Sequence, residues 1–499
     1  MNLEPIIGLE IHVQLKTKSK MFCTCDNSGE LQPINSCICE ICLGHPGTLP
    51  VPNKTAIEWS IKTALALNCE ISAESKFDRK HYFYPDLPKA YQISQYDQPF
   101  GKYGYLDIDG VQIHINRLHL EEDAAKLLHP TGKNYSIVDY NRAGTPLMEI
   151  VTEPDIREPR VAANFLRELR SIMRVLDISE ADMEKGHLRC DANISLRKVG
   201  TNALNPKTEI KNLNSFKAVE RALAYEIKRQ KLLWEQGHIP KVHETRGWDE
   251  AKGITIEQRQ KEEAHDYRYF PEPDIPPIKI KNANETVKAK SFFDLDAMRS
   301  SLPELPAAKR TRFHNQYKFS FADAAILTRD YELANYVEQV MSEVLEWVES
   351  VAQKEEEFDA RLAKLTANWL INELAPRVNN NWSDLKITPE NFAEFVTLIA
   401  ENKITSKAGQ QILSVMAETG KDPCDVMAEE NLGQVGKSDE LTEIIDKVIK
   451  SSPDAVADFN KGKANALKFL LGAVMRETKG RVDPQTIEKM LKDALNKDA

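Results

Sequence analysis

Ile6-Ile7-Gly8-Leu9-Glu10-Ile11-His12-Val13-Gln14-Leu15 alternates apolar and polar side chains with period two. In an extended chain, successive side chains point to opposite sides. Leu9, Ile11, Val13 and Leu15 therefore share one face, and Glu10, His12 and Gln14 share the other. Residues 190–197 repeat the pattern, with Cys190, Ala192, Ile194 and Leu196 opposed to Asp191, Asn193, Ser195 and Arg197. A half-buried antiparallel sheet produces such alternation, with one face on a core and a polar face free for chemistry. Helical patterns at 53–67, 158–176 and 215–234 fall between the strands, so residues 1–293 read as an α+β domain built on an antiparallel sheet.

The pattern then changes. Phe270-Pro271-Glu272-Pro273-Asp274-Ile275-Pro276-Pro277 cannot be a helix interior, because proline removes donors and clashes with the preceding turn; it reads as an extended exit from the first domain. Val337, Val340, Met341, Val344, Leu345, Val348 and Val351 form a stripe at helical spacing. Thr388-Pro389 reads as an N-cap followed by proline at the first helical position. Ile487, Met490, Leu491 and Leu495 form another apolar face. The expected division is a helical domain at 294–402 and a small all-α tail at 403–499.

With 499 residues, 28% charged and 41% hydrophobic, the chain has the composition of a globular protein rather than a collagen-like or disordered one. Its apolar run Phe469 to Met475 is far short of the ~18 residues of a membrane span. The first residues lack the basic and apolar regions of a secretory leader, so the expected setting is the cytoplasm, with no membrane partner. The net charge of −10 excludes bulk electrostatic binding of nucleic acid, so any such contact needs a local basic patch. Lys461, Lys463, Lys468, Arg476, Lys479 and Arg481, against the single acid Glu477, supply one. Ala464, Leu467, Leu471, Val474 and Met475 recur there at helical spacing. The bland alternative is a solvated amphipathic helix.

Five of the eight cysteines (Cys23, Cys25, Cys37, Cys39 and Cys42) crowd into one short window. Clustered thiols in a reducing compartment point to a metal before disulfides. Cys23-x-Cys25 and Cys39-x-x-Cys42 have the form of a four-thiolate structural zinc site, with Cys37 as a competing ligand and buried free thiols as the alternative. Cys69, Cys190 and Cys424 stand alone and read as buried small apolar residues.

No G-x-x-x-x-G-K-[ST], G-x-G-x-x-G or H-E-x-x-H occurs. Nucleotide chemistry here would need carboxylates and Mg²⁺, an ion that takes hard oxygen ligands. Glu10 and His12 share a strand face. Arg117, His119 and Glu121 alternate into Glu121-Glu122-Asp123. Asp191 heads the second polar strand face, and Glu209 lies in Lys207-Thr208-Glu209-Ile210-Lys211. Any one of these could belong to a solvated strand face; their recurrence on several strands is the signal. Aromatic and cationic residues interleave from Phe77 to Lys89, which composition alone reads as a strand and turn.

Ile7 to Leu15, Phe77 to Tyr96, Leu118 to Ala124, Val138 to Gly144 and Leu188 to Asn193 resemble the B subunit of tRNA-dependent Asp/Glu amidotransferases. So do Thr208 to Phe216, Glu244 to Trp248, Lys261 to Pro277, Leu302 to Pro306, Gly472 to Met475 and Thr478 to Gly480. The likeness spans essentially the whole chain. His81 departs from it, standing where the family more usually has Asn, and Cys37 is an extra thiol. The resemblance implies a cradle-shaped catalytic domain, a helical domain and a tRNA-binding helical tail. It implies ATP-dependent phosphorylation of the side-chain carboxylate of misacylated Glu-tRNA(Gln) or Asp-tRNA(Asn), followed by amidation with ammonia.

By motif match, Glu10, His12, Glu121 and Glu209 would hold Mg²⁺, with Glu122 and Asp191 close by. Lys80, Tyr82, Tyr84 and Lys89 would line the ammonia route. The chain shows no glutaminase signature, so an amidase-type A subunit would supply ammonia within a heterotrimer that also contains a small C subunit. The archaeal paralogue, which carries an inserted domain, is disfavoured by the continuous motif order from Glu244 to Leu305. A non-catalytic zinc-containing tRNA-binding scaffold would explain the cysteines and the basic tail, but not carboxylates on two strand faces.

Overall fold

The computed structural model describes residues 2–260, 267–280, 293–350, 356–379, 381–382, 384–433, 438–460, 464–478, 482 and 484–497. Its main sheet has nine strands: β1 (Leu3–Gln14), β2 (Glu70–Ile71), β3 (Gly101–Ile108), β4 (Val111–Glu122), β5 (Pro146–Thr152), β6 (Leu188–Lys198), β7 (Thr208–Leu213), β8 (Glu244–Asp249) and β9 (Ile254–Gln260). Their order across the sheet is β9-β8-β7-β6-β1-β5-β4-β3-β2. Neighbours are antiparallel except β7 and β8, which run parallel, so the sheet is mixed.

Three helices cover one face: α1 (Lys54–Ala66), α2 (Pro159–Val175) and α3 (Phe216–Glu235). Asn53 caps α1 by accepting from the Ala56 N–H, and Ser215 caps α3 by accepting from Ala218. Proline opens α2, where its missing donor costs nothing. Ile61, Phe165, Leu169 and Leu223 meet Leu9, Ile11, Val13, Ile150, Cys190, Ala192 and Ile194 in one core. Helices on a single sheet face make this unit α+β, and they leave the opposite face to polar side chains.

A β-bulge decides which side chains of β4 reach that polar face. Ile113 and Ile115 enter the core, but so do Leu118 and Leu120. Strict alternation cannot put all four on one side. The register against β5 shifts between Arg117–Val151 and Ile115–Thr152, placing one extra residue on β4. Beyond it, Arg117, His119 and Glu121 face away from the helices.

The proline-rich segment is extended at Phe270–Pro271 and turns at Pro273–Asp274, and it is no exit. Phe270 and Pro271 pair with Arg79 and Asp78, and Ile278 and Lys279 pair with Ser75 and Glu74. The buried Glu272 accepts two hydrogen bonds from the Arg79 guanidinium, at 2.7 and 2.8 Å. Phe293 joins the first core, with Leu295, Met298, Leu302 and Leu305 packed against it. The first compact unit is Met1–Pro306.

The second unit, Ala307–Ala499, is helical in its described elements. Helix Tyr331–Ser350 buries Val337, Val340, Met341, Val344 and Val348, while Val351 lies outside the described residues. Thr388 caps Pro389–Ala400 by accepting from the Asn391 N–H. The core around these helices also takes in Ile404, Ile412, Leu413, Met416 and Leu432, so residue 402 falls inside it. A smaller core begins at Leu441 and gathers Leu470, Val474, Ile487, Leu491 and Leu495. Cys69 and Cys190 are buried; Cys424 is only half-buried, and its thiol donates to Glu394 at 3.0 Å. No helix among the described residues is long and apolar enough to cross a membrane.

Candidate active site

Cross-strand register assembles the polar face in rungs. Arg189, His12, Glu149 and His119 lie abreast across β6, β1, β5 and β4. One rung along stand Asp191, Glu10, Val151 and Arg117; on the other side stand Gln14, Leu147 and Glu121. Directly opposed residues have Cβ atoms about 4.5–5.5 Å apart, so charged neighbours in a rung must interact.

Glu149 is the hub. It is buried, with one carboxylate oxygen 3.5 Å from His12 Nε2 and 3.2 Å from His119 Nε2. Glu121, equally buried, stands 3.7 Å from His12 and 3.8 Å from His119, and accepts a hydrogen bond from the Ser94 hydroxyl. Burial opposes charge on all four groups, yet their mutual attraction prevails. His119 is raised to about 9 against its burial, chiefly by Glu149. His12 is raised too, and the two imidazoles hold Glu149 well below the usual carboxylate range. Glu10 goes the other way, pushed up by burial and by Glu149.

Ligand atoms of Glu10, His12 and Glu149 lie within 4.8 Å of one another, as do those of His119, Glu121 and Glu149. These are two three-donor sets sharing one carboxylate. Oxygen-rich sets with an imidazole suit a hard or borderline divalent cation. The crowding that raises Glu10 would be relieved by such an ion. His119 Nδ1 is buried without a partner among the described residues, while Nε2 faces the carboxylates. The donor set therefore fits Mg²⁺.

The other predicted residues divide. Asp191 and Glu209 border the same cleft, bridged by Lys211 Nζ at 2.9 and 3.2 Å, and the Thr245 hydroxyl donates to Glu209. Glu122 points away from Glu121, as adjacent strand residues must; it binds Lys89 Nζ at 2.6 Å and accepts from the Ile93 N–H. Lys80 and Tyr82 line the cleft, of about 570 Å³, together with Glu10, His12 and Glu121. Tyr84 stacks on Tyr82 with ring centres 6.0 Å apart. Lys89 lines a different cavity of about 300 Å³, shared with Cys23, Cys42, Arg79 and Tyr91. In the tail, Lys468 and Arg476 are exposed on helix Ala464–Glu477; Lys461, Lys463, Lys479 and Arg481 lie outside the described residues.

Glu149 escaped the sequence reading. It is the one acid in Leu147-Met148-Glu149-Ile150-Val151, and an acid inside a buried strand demands a partner. That was its available signal.

The sulfurs of Cys23, Cys25, Cys39 and Cys42 lie within 4.8 Å of one another. A tetrahedral ion with Zn–S bonds of about 2.3 Å needs sulfurs about 3.8 Å apart, so a small closure seats zinc. Cys42 is lowered to about 5, through its hydrogen bond with Cys23 and against its burial, while the same bond and burial push Cys23 up. Cys37 is not in the four-sulfur group. Its carbonyl accepts from the fully buried Lys20 Nζ at 2.8 Å, and that ammonium also lies 3.9 Å from Cys42 Sγ.

An α+β unit with an acid- and imidazole-lined sheet face and a four-thiolate loop defines a class of candidate metal-dependent enzyme. Residues 5–286 match the family model described as GatB/GatE catalytic domain, and residues 346–495 match that described as GatB domain. A relative from Carboxydothermus hydrogenoformans is 45% identical, covering 99% of both chains. One from Caldanaerobacter subterraneus is 46% identical over 100% of both. One from Thermotoga maritima is 44% identical over 99% of both. All three are named as the B subunit of an aspartyl/glutamyl-tRNA(Asn/Gln) amidotransferase. The chain belongs to the GatB/GatE family of amidotransferase subunits.

Two outcomes are expected. Protein purified without added metal should carry one zinc per chain by elemental analysis. Cys42→Ser should lose it and Cys37→Ser should keep it; zinc near zero in the parent chain sinks the assignment. In metal-free protein, His119 is raised from 6.5 to about 9, so its stabilising charge is complete below pH 6.5 and lost as pH climbs through 9. The urea midpoint of the first unit should fall over that interval, and Glu149→Gln should flatten the fall.

Proposed function

We propose that this chain carries the ATP-dependent half of a tRNA-dependent amidotransferase. In this reading, the side-chain carboxylate of misacylated Glu-tRNA(Gln) or Asp-tRNA(Asn) attacks the γ-phosphate of ATP. That step releases ADP and leaves an acyl phosphate, from whose acyl carbon ammonia then displaces inorganic phosphate to give Gln-tRNA(Gln) or Asn-tRNA(Asn). The observation that carries the proposal is the pair of donor sets joined at Glu149 on the floor of an open cleft. The first step brings anions together, so its catalysis is chiefly positioning and charge neutralisation. Mg²⁺ held by Glu10, His12 and Glu121, with Glu149 between the histidines, would supply the neutralisation, and Glu209 across the same cleft would be the remaining ligand.

The chain's own residues do the rest. Lys80, Lys211 and Arg189 border the cleft and attract phosphate and carboxylate groups. Asp191 and Glu209 hold the Lys211 ammonium in place. The aromatic ring of Tyr82 stands at the same wall, where ammonia would arrive along Lys80, Tyr82, Tyr84 and Lys89. An amidase-type A subunit would release that ammonia, and with a small C subunit complete a cytoplasmic heterotrimer. The first compact unit, Met1–Pro306, would form the cradle that binds ATP and Mg²⁺, and the tail helix that carries Lys468 and Arg476 would bind tRNA. Zinc in the cysteine loop would be structural, since four protein ligands leave no open position. A purely scaffolding tRNA-binding subunit has no use for two donor sets on one sheet face.

The test is ATP- and glutamine-dependent conversion of each misacylated tRNA by the assembled enzyme. Glu10→Gln and Glu209→Gln should cut tRNA-dependent ATP cleavage by about 10–100-fold or more, leaving glutamine hydrolysis by the partner intact. Unchanged ATP cleavage in either variant removes that residue from the site. Charge reversal at Lys468 and Arg476 should raise KM for aminoacyl-tRNA with little change in kcat. It should also flatten the salt dependence of binding by roughly 0.7–0.9 in slope per lost phosphate contact. Unaltered KM and salt dependence would make the tail structural.

A further inference from the structure

Lys20 is fully buried, yet among the described residues it ion-pairs with no carboxylate. Lysine is almost never fully buried unless paired, because burial strips the ammonium of its water. Two carbonyls accept from it, Cys37 at 2.8 Å and Tyr140 at 3.3 Å, and both are neutral. Its remaining polar contact is the sulfur of Cys42, at 3.9 Å. Among the described residues, the groups beside this ammonium that can carry the opposite charge are therefore thiols.

Four thiolates around a divalent ion keep a net charge of about −2. Inside a protein that excess is costly unless donors and cations surround the sulfurs. Cys42 Sγ receives both kinds. The Cys39 N–H donates to it at 3.1 Å, and the Lys20 ammonium stands beside it. The backbone at Gly144 lies directly over the pair, since a Cβ there would touch the Lys20 Cδ at 3.4 Å and the Cys42 Cβ at 3.5 Å. The cluster is not sealed on every side. Cys23 and Cys42 line the cavity of about 300 Å³ that Lys89 also borders, so a small reagent entering it meets sulfur.

We propose that Lys20 is the charge partner of the metal-loaded four-thiolate centre. Its ammonium offsets part of the negative charge, and so sets both how tightly zinc is held and how slowly Cys42 reacts with electrophiles. The inference rests on the zinc reading of the cysteine loop and extends it from the residues that hold the ion to the residue that keeps it there.

The test uses the full chain. Zinc content of the parent comes first: a value near zero sinks the zinc reading, and the proposal with it. With zinc present, the remaining outcomes bear on Lys20 alone. Lys20→Met keeps a long unbranched side chain and removes the charge. It should bind zinc about 10–100-fold more weakly in a chelator competition, the range typical for residues that support metal ligands. In the zinc-saturated variant, iodoacetamide should label Cys42 faster than in the parent and ahead of Cys23, Cys25 and Cys39, as mapped by mass spectrometry. Lys20→Arg, which keeps the charge, should stay closer to the parent than Lys20→Met. Packing alone predicts the reverse order, since arginine is the bulkier replacement, and that order overturns the proposal. So does a Lys20→Met chain with the parent's zinc affinity and labelling rate. Faster labelling spread evenly over all four cysteines overturns it too, because that reports an opened loop. If Lys20→Met fails to fold, Lys20→Gln, which keeps a donor for the carbonyls without the charge, carries the same comparison.

Discussion

The buried carboxylate of Glu149, held between the imidazoles of His12 and His119, is the interaction on which the site is built. An isolated carboxylate in that position would be costly, because burial strips its hydration. The two histidines offset that cost, and the buried carboxylates in turn raise both imidazoles above the ordinary histidine value. The arrangement holds three strands to one register: a slip of one residue in β1 or β4 would turn a histidine into the helix-covered core. Structure and chemistry are thus specified by the same contacts.

Two irregularities make the polar face work. The bulge in β4 moves Arg117, His119 and Glu121 to the side opposite Ile113 and Ile115. A second register shift lies in β7, where Ile210 and Leu213 both enter the core and Lys211 is left facing Asp191 and Glu209. Bulges re-aim side chains at the cost of ladder hydrogen bonds. Here they let strands with strongly apolar faces also present closely spaced charges. Beneath β7 and β8, the buried Glu226 binds Arg229, Gln230 and Thr255, fixing the one parallel pair that carries Glu209 and Thr245.

The cysteine loop is tied to the sheet through Gly144 and Lys20. Gly144 adopts φ of +86°, a conformation that favours glycine, and its carbonyl accepts from the Met21 N–H at 2.7 Å. The Gly144 N–H donates in turn to the Asp123 carbonyl, two residues beyond Glu121 on the chain. Lys20, fully buried, holds the Cys37 and Tyr140 carbonyls from within. The cysteine loop is thereby joined to the end of β4 by a chain of backbone hydrogen bonds.

Local pattern was enough for the elements with simple periods. Alternation in Ile6–Leu15 and 190–197 determined which residues of β1 and β6 are buried, because side-chain direction in a strand depends only on parity. Thr388 marked a helix start by capping chemistry that acts over three residues. The spacing of Cys23, Cys25, Cys39 and Cys42 brought four thiols within reach of one ion, since each pair is joined by a tight turn. Tertiary structure decided the rest. Glu149 and His119 gained their places from partners more than 25 residues away along the chain, and Glu122 was turned from Glu121 to Lys89 by the parity of a strand whose bulge no local pattern announces. The proline-rich segment was legible as extended, but its pairing with Asp78 and Arg79 was not, because strand partners are set by the whole fold rather than by the residues beside them.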